Sequence, residues 1–597
     1  MQNLKKISSI LSKEDRFRAI LLLGMTLVMS FIDVAGVASI LPFIALLTNP
    51  EIIETNFFLS TVYQTSKNFG IENEQQFLIA TGFFVFILLI TSILFKALTT
   101  FTQIHFIQRC DYNVSMRLLK SYLDQPYSWF LNQNSSILAK SILTEVKQVV
   151  NRVLSPAINL ISNFFIAFTL FIMLLVVEPK LTSIVFLTIS LFYGLVIMFN
   201  IHFVKKLGKE IFDANSDRFK ILTESFGALK EIKIGELEET YINQFSIPSK
   251  KIAKNQVKYN ILSELPRLTL EAIAFGGMIV IILSFMTITG NITNVLPVIA
   301  LYAFAGYRLL PAIQKIYFNF TSIRFGVKSL DSVCNALNTL KLKPQNEYKD
   351  TLKLNKSICL KNIHYTYPNA SKITLKDINL NIPTNKTIGL VGATGSGKST
   401  VIDIILGLLE PQKGTLEIDD KIINDHNKRA WQHFVGYVPQ QIFLLDNTVS
   451  ANIAFGVNIS DVNQEAVENA AKIANLHEFV TNELPLKYQT TVGERGVRLS
   501  GGQRQRIGIA RALYHKPKVL VLDEATSALD NLTEKAVMNA VHNSTSDITK
   551  ILVAHRLSTV KDCDIIFLFD KGELKNQGTF EELIKESDDF RESVKSL

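Results

Sequence analysis

Gly392-Ala393-Thr394-Gly395-Ser396-Gly397-Lys398-Ser399 decides the fold of the second half of this 597-residue chain. It fits the pattern G-x-x-x-x-G-K-[ST] without a mismatch. Its glycines let successive backbone N–H groups turn inward and form an anion-binding nest at the start of a helix, with Thr400 next in line. Lys398 would reach the β- and γ-phosphates of a nucleotide, and the Ser399 hydroxyl would take a Mg²⁺ position. Taken alone, the loop predicts only nucleotide binding.

Two stretches downstream narrow this reading. Leu499-Ser500-Gly501-Gly502-Gln503 stands shortly before Val519-Leu-Val-Leu-Asp523-Glu524. The aliphatic run reads as a buried parallel strand, and the carboxyl end of such a strand is where an open α/β sheet binds ligand. Asp523 is placed to hold Mg²⁺ through water. Glu524, next on an extended strand end, points elsewhere and is free to polarise an attacking water.

Together these stretches resemble the ATP-binding-cassette family, and the match runs in order from about Ile358 to Leu583. Tyr367 of His-Tyr-Thr-Tyr-Pro is similar to the aromatic that stacks on adenine, with Tyr365 the alternative. Gln440 of Tyr-Val-Pro-Gln resembles the glutamine that contacts Mg²⁺ and water. Thr491-Val-Gly-Glu-Arg-Gly496 resembles the segment that exporters of this family place beside their coupling helices. Ser527-Ala-Leu-Asp530 looks like the loop that contacts a second copy, and His555 like the histidine that senses the γ-phosphate. The resemblance implies ATP and Mg²⁺ as ligands, and a site completed by a second chain. Ser500, Gly501, Gly502 and Gln503 of one copy would cover ATP held by Lys398 of the other. Because every motif is intact, a homodimer is expected, and a channel or regulator that merely resembles a pump is disfavoured.

The first half is written for a different solvent. The chain is 48% hydrophobic, with 40 Phe against 2 Trp, and the apolar runs concentrate before about residue 320. Six stretches are long enough to cross a bilayer, near 19–47, 77–98, 157–177, 181–204, 265–289 and 295–318. Lysines and arginines crowd the N-terminal lead-in and the segments between spans two and three and between spans four and five. The first loop, by contrast, carries Glu51, Glu54, Glu72 and Glu74 against Lys67. This bias predicts both termini in the cytoplasm and a multi-pass protein of the inner membrane. The expected fold class is therefore an α-helical six-span membrane domain (1–325), a linker (326–356) and an α/β P-loop ATPase domain (357–597). The family resemblance adds an antiparallel β subdomain and a helical signature subdomain to the last.

Both long cytoplasmic segments carry helical periodicity, each expected to reverse in a short crossing turn. Gln125-Pro126-Tyr127-Ser-Trp129-Phe130 is the candidate for the first turn, and the second is expected near Phe212–Gly227. The net charge of +9 is explained by a basic cytoplasmic face, without nucleic acid. The four cysteines have neither metal-ligand nor disulfide spacing. The N-terminus reads as too short for a fused cysteine peptidase, which disfavours an exporter that processes its own peptide cargo.

Ionisable residues inside apolar spans are functional candidates. Arg308 and Lys315 lie seven apart on one face of span six, Arg267 and Glu271 share a face at the start of span five, and Lys96 ends span two. They would line an inward-facing cavity suited to a phosphate or pyrophosphate headgroup. The opposing reading is that Arg267 pairs with Glu271 and that the others sit in water; Asp33 in span one is expected to pair with a neighbouring polar group. Phe58, Leu59, Val62, Tyr63 and Phe69 recur at helical spacing in the long first external loop. They would either touch lipid or cap the membrane helices. That loop and the basic residues make the chain similar to bacterial flippases for lipid-linked oligosaccharides. Membrane lipid and an amphiphilic, lipid-linked saccharide are thus expected partners, and uncharged hydrophobic compounds or peptides the alternative cargo.

Overall fold

The computed structural model describes residues 2–48, 53, 57–68, 71, 73–177, 179–289, 296–340, 352–368, 370–525, 530–544, 547–554, 557–587 and 590–591. It divides into two compact units, Met1–Gln125 with Gln133–Lys343, and Pro126–Asn132 with Pro344–Leu597.

The first unit is helical throughout its described residues. Lys13–Ala38 starts where the Ser12 hydroxyl accepts the Asp15 N–H at 3.1 Å, with Glu14 and Asp15 favouring the positive end of the helix. Among the described residues, four stretches are long and apolar enough to cross a membrane: Lys13–Leu47, Glu74–Leu123, Ser135–Val176 and Thr182–Gly227. They turn Phe83, Phe84, Ile87, Leu187 and Phe199 outward, as helices do when lipid is their solvent. The expected fifth and sixth spans lie within the continuous helices Glu238–Thr289 and Leu296–Thr339. Residues 290–295 between them lie outside the described residues. The helix Leu296–Thr339 runs on through the first part of the expected linker.

Crossing turns follow the local sequence. After Leu123, Pro126 precedes a single turn, Tyr127–Phe130. The second reversal is later than its expected place at Phe212–Gly227. The helix Pro179–Gly227 stays unbroken to its last residue, and the chain turns through Ala228 and again at Gly235, on either side of Leu229–Ile234. Nothing between Phe212 and Phe226 breaks a helix, since glycine and proline are both absent there. In the segment between the first two spans, the helix Phe57–Lys67 buries Leu59 beside Leu46, Ile53 and Phe77, and sets Tyr63 edge-on to Phe77 at 5.1 Å. Its other face exposes Thr61, Gln64 and Thr65 together with Phe57 and Val62, and Phe69 lies outside the described residues. Of the two readings of this loop, capping is the one these contacts support.

The second unit contains two sheets. An antiparallel sheet has the order β2-β1-β4-β5, formed by β1 (Ser357–Tyr365), β2 (Leu375–Pro383), β4 (Lys413–Ile418) and β5 (Lys421–Ile422). The larger sheet has the order β10-β9-β3-β8-β7-β6. Its strands are β3 (Thr387–Gly392), β6 (Val435–Val438), β7 (Val519–Asp523), β8 (Thr549–Val553), β9 (Ile565–Asp570) and β10 (Glu573–Gly578). All neighbours in it are parallel except β9 and β10. Strands β7 and β8 are buried along their whole length; β7 reads as an aliphatic run up to Asp523, whereas β8 opens with the buried polar pair Thr549 and Lys550 before Ile551-Leu-Val553. A helical layer including Gln464–Ile473 and Gly501–Tyr514 packs Val467, Ala470, Ile507 and Ile509 into one core.

Close helix approach in the first unit depends on a glycine. A Cβ on Gly208 would stand 2.1 Å from the backbone oxygen of Phe325, whereas one on Gly24 would meet nothing within 4 Å. Gly208→Ala should therefore destabilise the membrane unit by about 1–3 kcal/mol through overpacking. Gly24→Ala should be neutral or slightly stabilising. Thermal unfolding of the detergent-solubilised protein checks the pair, and equal midpoints would contradict the packing.

Candidate active site

Strand β3 sits in the middle of the large sheet with Ile388 and Leu390 fully buried, so the loop that follows leaves from a fixed point. Gly392 has φ 153°, and a Cβ there would lie 2.2 Å from the Phe569 oxygen. Gly397, at φ 104°, caps the helix Lys398–Ile405 in a left-handed conformation that favours glycine. The Lys398 ammonium lies 2.6 Å from the Gly392 oxygen and 3.0 Å from the Ala393 oxygen. Burial pushes its pKa down, while the negative charges of Glu524 and Asp523 act in the opposite direction. The Ser396 hydroxyl oxygen is buried with no hydrogen-bond partner among the described residues. That orphaned polar atom, inside a loop of inward N–H groups, suits an anionic ligand.

The acids arrive from the neighbouring strand. Asp523 ends β7, where the Tyr437 hydroxyl stands 3.5 Å from its Oδ2. Glu524 does not continue the strand as expected. It takes φ 50°, a left-handed conformation that costs a non-glycine residue energy and recurs at active sites. The kink turns its carboxylate onto Gln440, whose Nε2 donates to Glu524 Oε2 at 2.7 Å. Gln440 and Glu524 are thus joined directly although 84 residues separate them.

Tyr367 and Tyr365 meet edge-on at 5.1 Å. Tyr365 is buried in the antiparallel sheet, whereas the half-buried Tyr367 sets its hydroxyl 3.0 Å from Thr400 Oγ1, at the edge of the phosphate loop. Of the two tyrosines, Tyr367 therefore has the better access to a nucleotide base. Ser500 caps the helix Gly501–Tyr514 reciprocally with Gln503: its hydroxyl accepts the Gln503 N–H at 3.2 Å, and Gln503 Oε1 accepts its N–H at 2.7 Å. Among the described residues, no hydrogen bond joins Ser500–Gln503 to the Gly392–Thr400 loop within this chain. Ser527, Ala528, Leu529 and His555 lie outside the described residues, while Asp530 accepts the Leu532 and Thr533 N–H groups at the start of the next helix.

Asp403 escaped the sequence reading. It lies on the helix after the phosphate loop, and burial, with the nearby Asp523, raises its pKa to about 6. Its signal was an acid one turn beyond Ser399 on a helix that is otherwise mostly buried.

The membrane-unit candidates separate into two groups. Arg267 is exposed and paired with Glu271 at 3.0 Å, as the opposing reading held. Arg308 donates through one nitrogen to both oxygens of Asp33, at 3.0 and 3.1 Å. Ser92 also donates to Asp33. Lys96, on span two, lies within electrostatic range of Asp33, Arg308 and Lys315. Neither Lys96 nor Lys315 forms an ion pair among the described residues.

A family profile described as ABC transporter matches residues 375–527, and one described as ABC transporter transmembrane region matches residues 53–309. The toxin RTX-I translocation ATP-binding protein of Actinobacillus pleuropneumoniae is 31% identical over 510 residues, covering 83% of this chain and 70% of that protein. The chain belongs to the ABC transporter family. An alpha-hemolysin translocation ATP-binding protein of Proteus vulgaris is 32% identical over 506 residues, 83% of this chain and 69% of its own length. A solved bacterial Atm1-family ABC exporter with ATP bound shares the fold, with a TM-score of 0.78, 20% identity and coverage of 97% and 98% of the two chains.

This ABC transporter joins a membrane region and an ATPase region in one chain, uses ATP with Mg²⁺, and couples ATP hydrolysis to transport. Its loop can neutralise phosphate charge with Lys398, and the Gln440–Glu524 pair can orient a water. Lys398→Ala is therefore expected to remove tight nucleotide binding, whereas Glu524→Gln should retain ATP and lower turnover by about two orders of magnitude or more, the scale of a lost general base. Equilibrium ATP binding measured beside steady-state hydrolysis checks both. A Glu524→Gln protein with near wild-type turnover would assign the base elsewhere.

Proposed function

We propose that the protein is an ATP-driven exporter or flippase that moves an anionic amphiphile, of the lipid-linked oligosaccharide type, from the inner to the outer leaflet of the cytoplasmic membrane. It works by alternating access as a homodimer with both termini in the cytoplasm. The observation that carries the cargo reading is the Arg308–Asp33 pair, with Lys96 within electrostatic range of it and of Lys315. Three cations against one carboxylate leave an excess of positive charge on apolar helices, and such charge is kept in lipid where a ligand or pathway uses it. Arg267 is committed to Glu271 and is left out of this site.

In each ATP site, Lys398 and the N–H groups of Gly392 to Thr400 hold the phosphates, and Tyr367 stacks on the base. Ser399, Gln440 and Asp523 offer oxygen donors, the set that a hard, water-retaining Mg²⁺ prefers. Glu524, held by Gln440, takes the proton of the attacking water, and His555 contacts the γ-phosphate. Ser500, Gly501, Gly502 and Gln503 of a second copy cover the nucleotide, the helix N-terminus favouring its negative charge.

A second reading is export of a protein or peptide. The toxin and hemolysin translocation proteins at 31–32% identity favour it.

Purified protein in liposomes, assayed for ATP turnover against a polyprenyl-diphosphate sugar, a neutral glycolipid and an unfolded peptide, separates these readings. Arg308→Ala would leave Asp33 buried without its cation, so Lys96→Gln and Lys315→Gln are the cleaner variants. Each should raise the half-stimulating concentration of the anionic lipid by about tenfold, a typical loss for one charge-assisted contact. Basal turnover and the response to neutral lipid should stay unchanged. Stimulation by peptide alone would give the cargo to the second reading.

A further inference from the structure

Arg511 is a half-buried cation without a carboxylate among the described residues. It lies three turns into the helix Gly501–Tyr514 that Ser500 caps, and no ion pair reaches it among the described residues. Its guanidinium is held by carbonyl groups instead. Nε donates to the Asn452 backbone oxygen at 2.8 Å, Nη1 to the Phe443 oxygen at 2.9 Å and Nη2 to Asn452 Oδ1 at 3.1 Å. The ring of Phe455 covers it, 4.6 Å from the guanidinium carbon. Burial alone pushes its pKa down to about 10. Keeping an uncompensated charge there costs stability that an apolar side chain would not cost, so the position is one where function is worth seeking.

What Arg511 holds is the chain leaving Gln440. Phe443 is three residues beyond Gln440, and Asn452 is itself fully buried. The Asn452 side chain accepts the Leu445 N–H at 2.9 Å and donates to the Leu445 and Thr448 oxygens, each at 3.0 Å. The same loop pairs Asn447 with Val492 at 3.0 Å, within Thr491–Gly496. One turn before Arg511, Gly508 leaves room for Ile442, where a Cβ would approach the Ile442 side chain to 2.3 Å. Two independent contacts, one polar and one steric, thus press the loop after Gln440 onto the helix that carries Ser500.

We propose that Arg511, acting through Asn452, is a positioning residue for ATP hydrolysis: it locks the Gln440 loop to the Ser500 helix so that both reach their places in the composite site together. A helix is stiff over three turns, so a shift of Gln440 at Glu524 is passed to Ser500 rather than absorbed in the loop. Arg511 touches no reacting atom. Lysine cannot replace it fully, because a single ammonium cannot span the Phe443 and Asn452 oxygens in the fixed geometry of a guanidinium fork.

A double-mutant cycle on the full chain in lipid tests this, using Arg511→Lys, Gln440→Ala and the double variant. Arg511→Lys should lower kcat for ATP by about tenfold and leave KM within about twofold, since nucleotide binding at Lys398 is untouched. In the Gln440→Ala background the same change should cost little more, because the connection no longer leads anywhere. Asn452→Asp keeps acceptors for Arg511 and supplies a counter-charge, but removes the donations to Leu445 and Thr448. It should repeat the kcat loss in a stably folded protein, and it serves alone if Arg511→Lys does not fold. Fully additive losses, a rise in KM at constant kcat, or wild-type turnover in Asn452→Asp would each overturn the proposal.

Discussion

Parallel pairing of β3, β8, β7 and β6 is the constraint on which the active site depends. Register aligns Leu390 and Asp523 with Val553, and Val438 with Leu522, so these four strands end within a few residues of one another. The phosphate loop, the acids and the segment leading to Gln440 therefore emerge side by side. Strands buried on both faces are predominantly aliphatic, and that same burial removes the freedom of their ends. The left-handed backbone at Glu524 is affordable because the sheet holds its neighbours fixed, and it aims the carboxylate at Gln440.

Charge in apolar surroundings organises the other unit. Asp33 is almost fully buried and is satisfied twice, by Arg308 and by Ser92. Breaking such a pair leaves a charge stranded, so the arrangement fixes spans one, two and six against each other at this level. A comparable pair stands further along the helical unit, where buried Lys140 and Glu145 meet at 2.7 Å. Lys140 also lies over the Phe212 ring, at 3.8 Å from its centroid. The helices are thus tied by a few ionic contacts and by glycine-mediated approaches such as Gly208 to Phe325.

Much of this was legible in order of residues. The phosphate loop, Asp523, Gln440, Ser500 and the long apolar helices have local signatures, because each depends on a backbone conformation or a solvent that neighbouring residues alone can specify. The pairing of Arg267 with Glu271 was equally local, an i and i+4 contact on one helix. Reading Glu524 as a simple strand end missed its left-handed turn, and the second crossing turn was placed too early because apolar periodicity does not mark where a helix stops.

The sequence by itself determined a membrane region followed by a nucleotide-binding α/β region, since period, length and glycine spacing are properties of contiguous residues. Only the tertiary structure decided which distant groups meet. Asp33 with Arg308, Gln440 with Glu524 and Arg511 with Phe443 are contacts across strands, spans or helices. No local pattern encodes them, because partner choice for a buried charge depends on which elements the packing brings within a few ångströms.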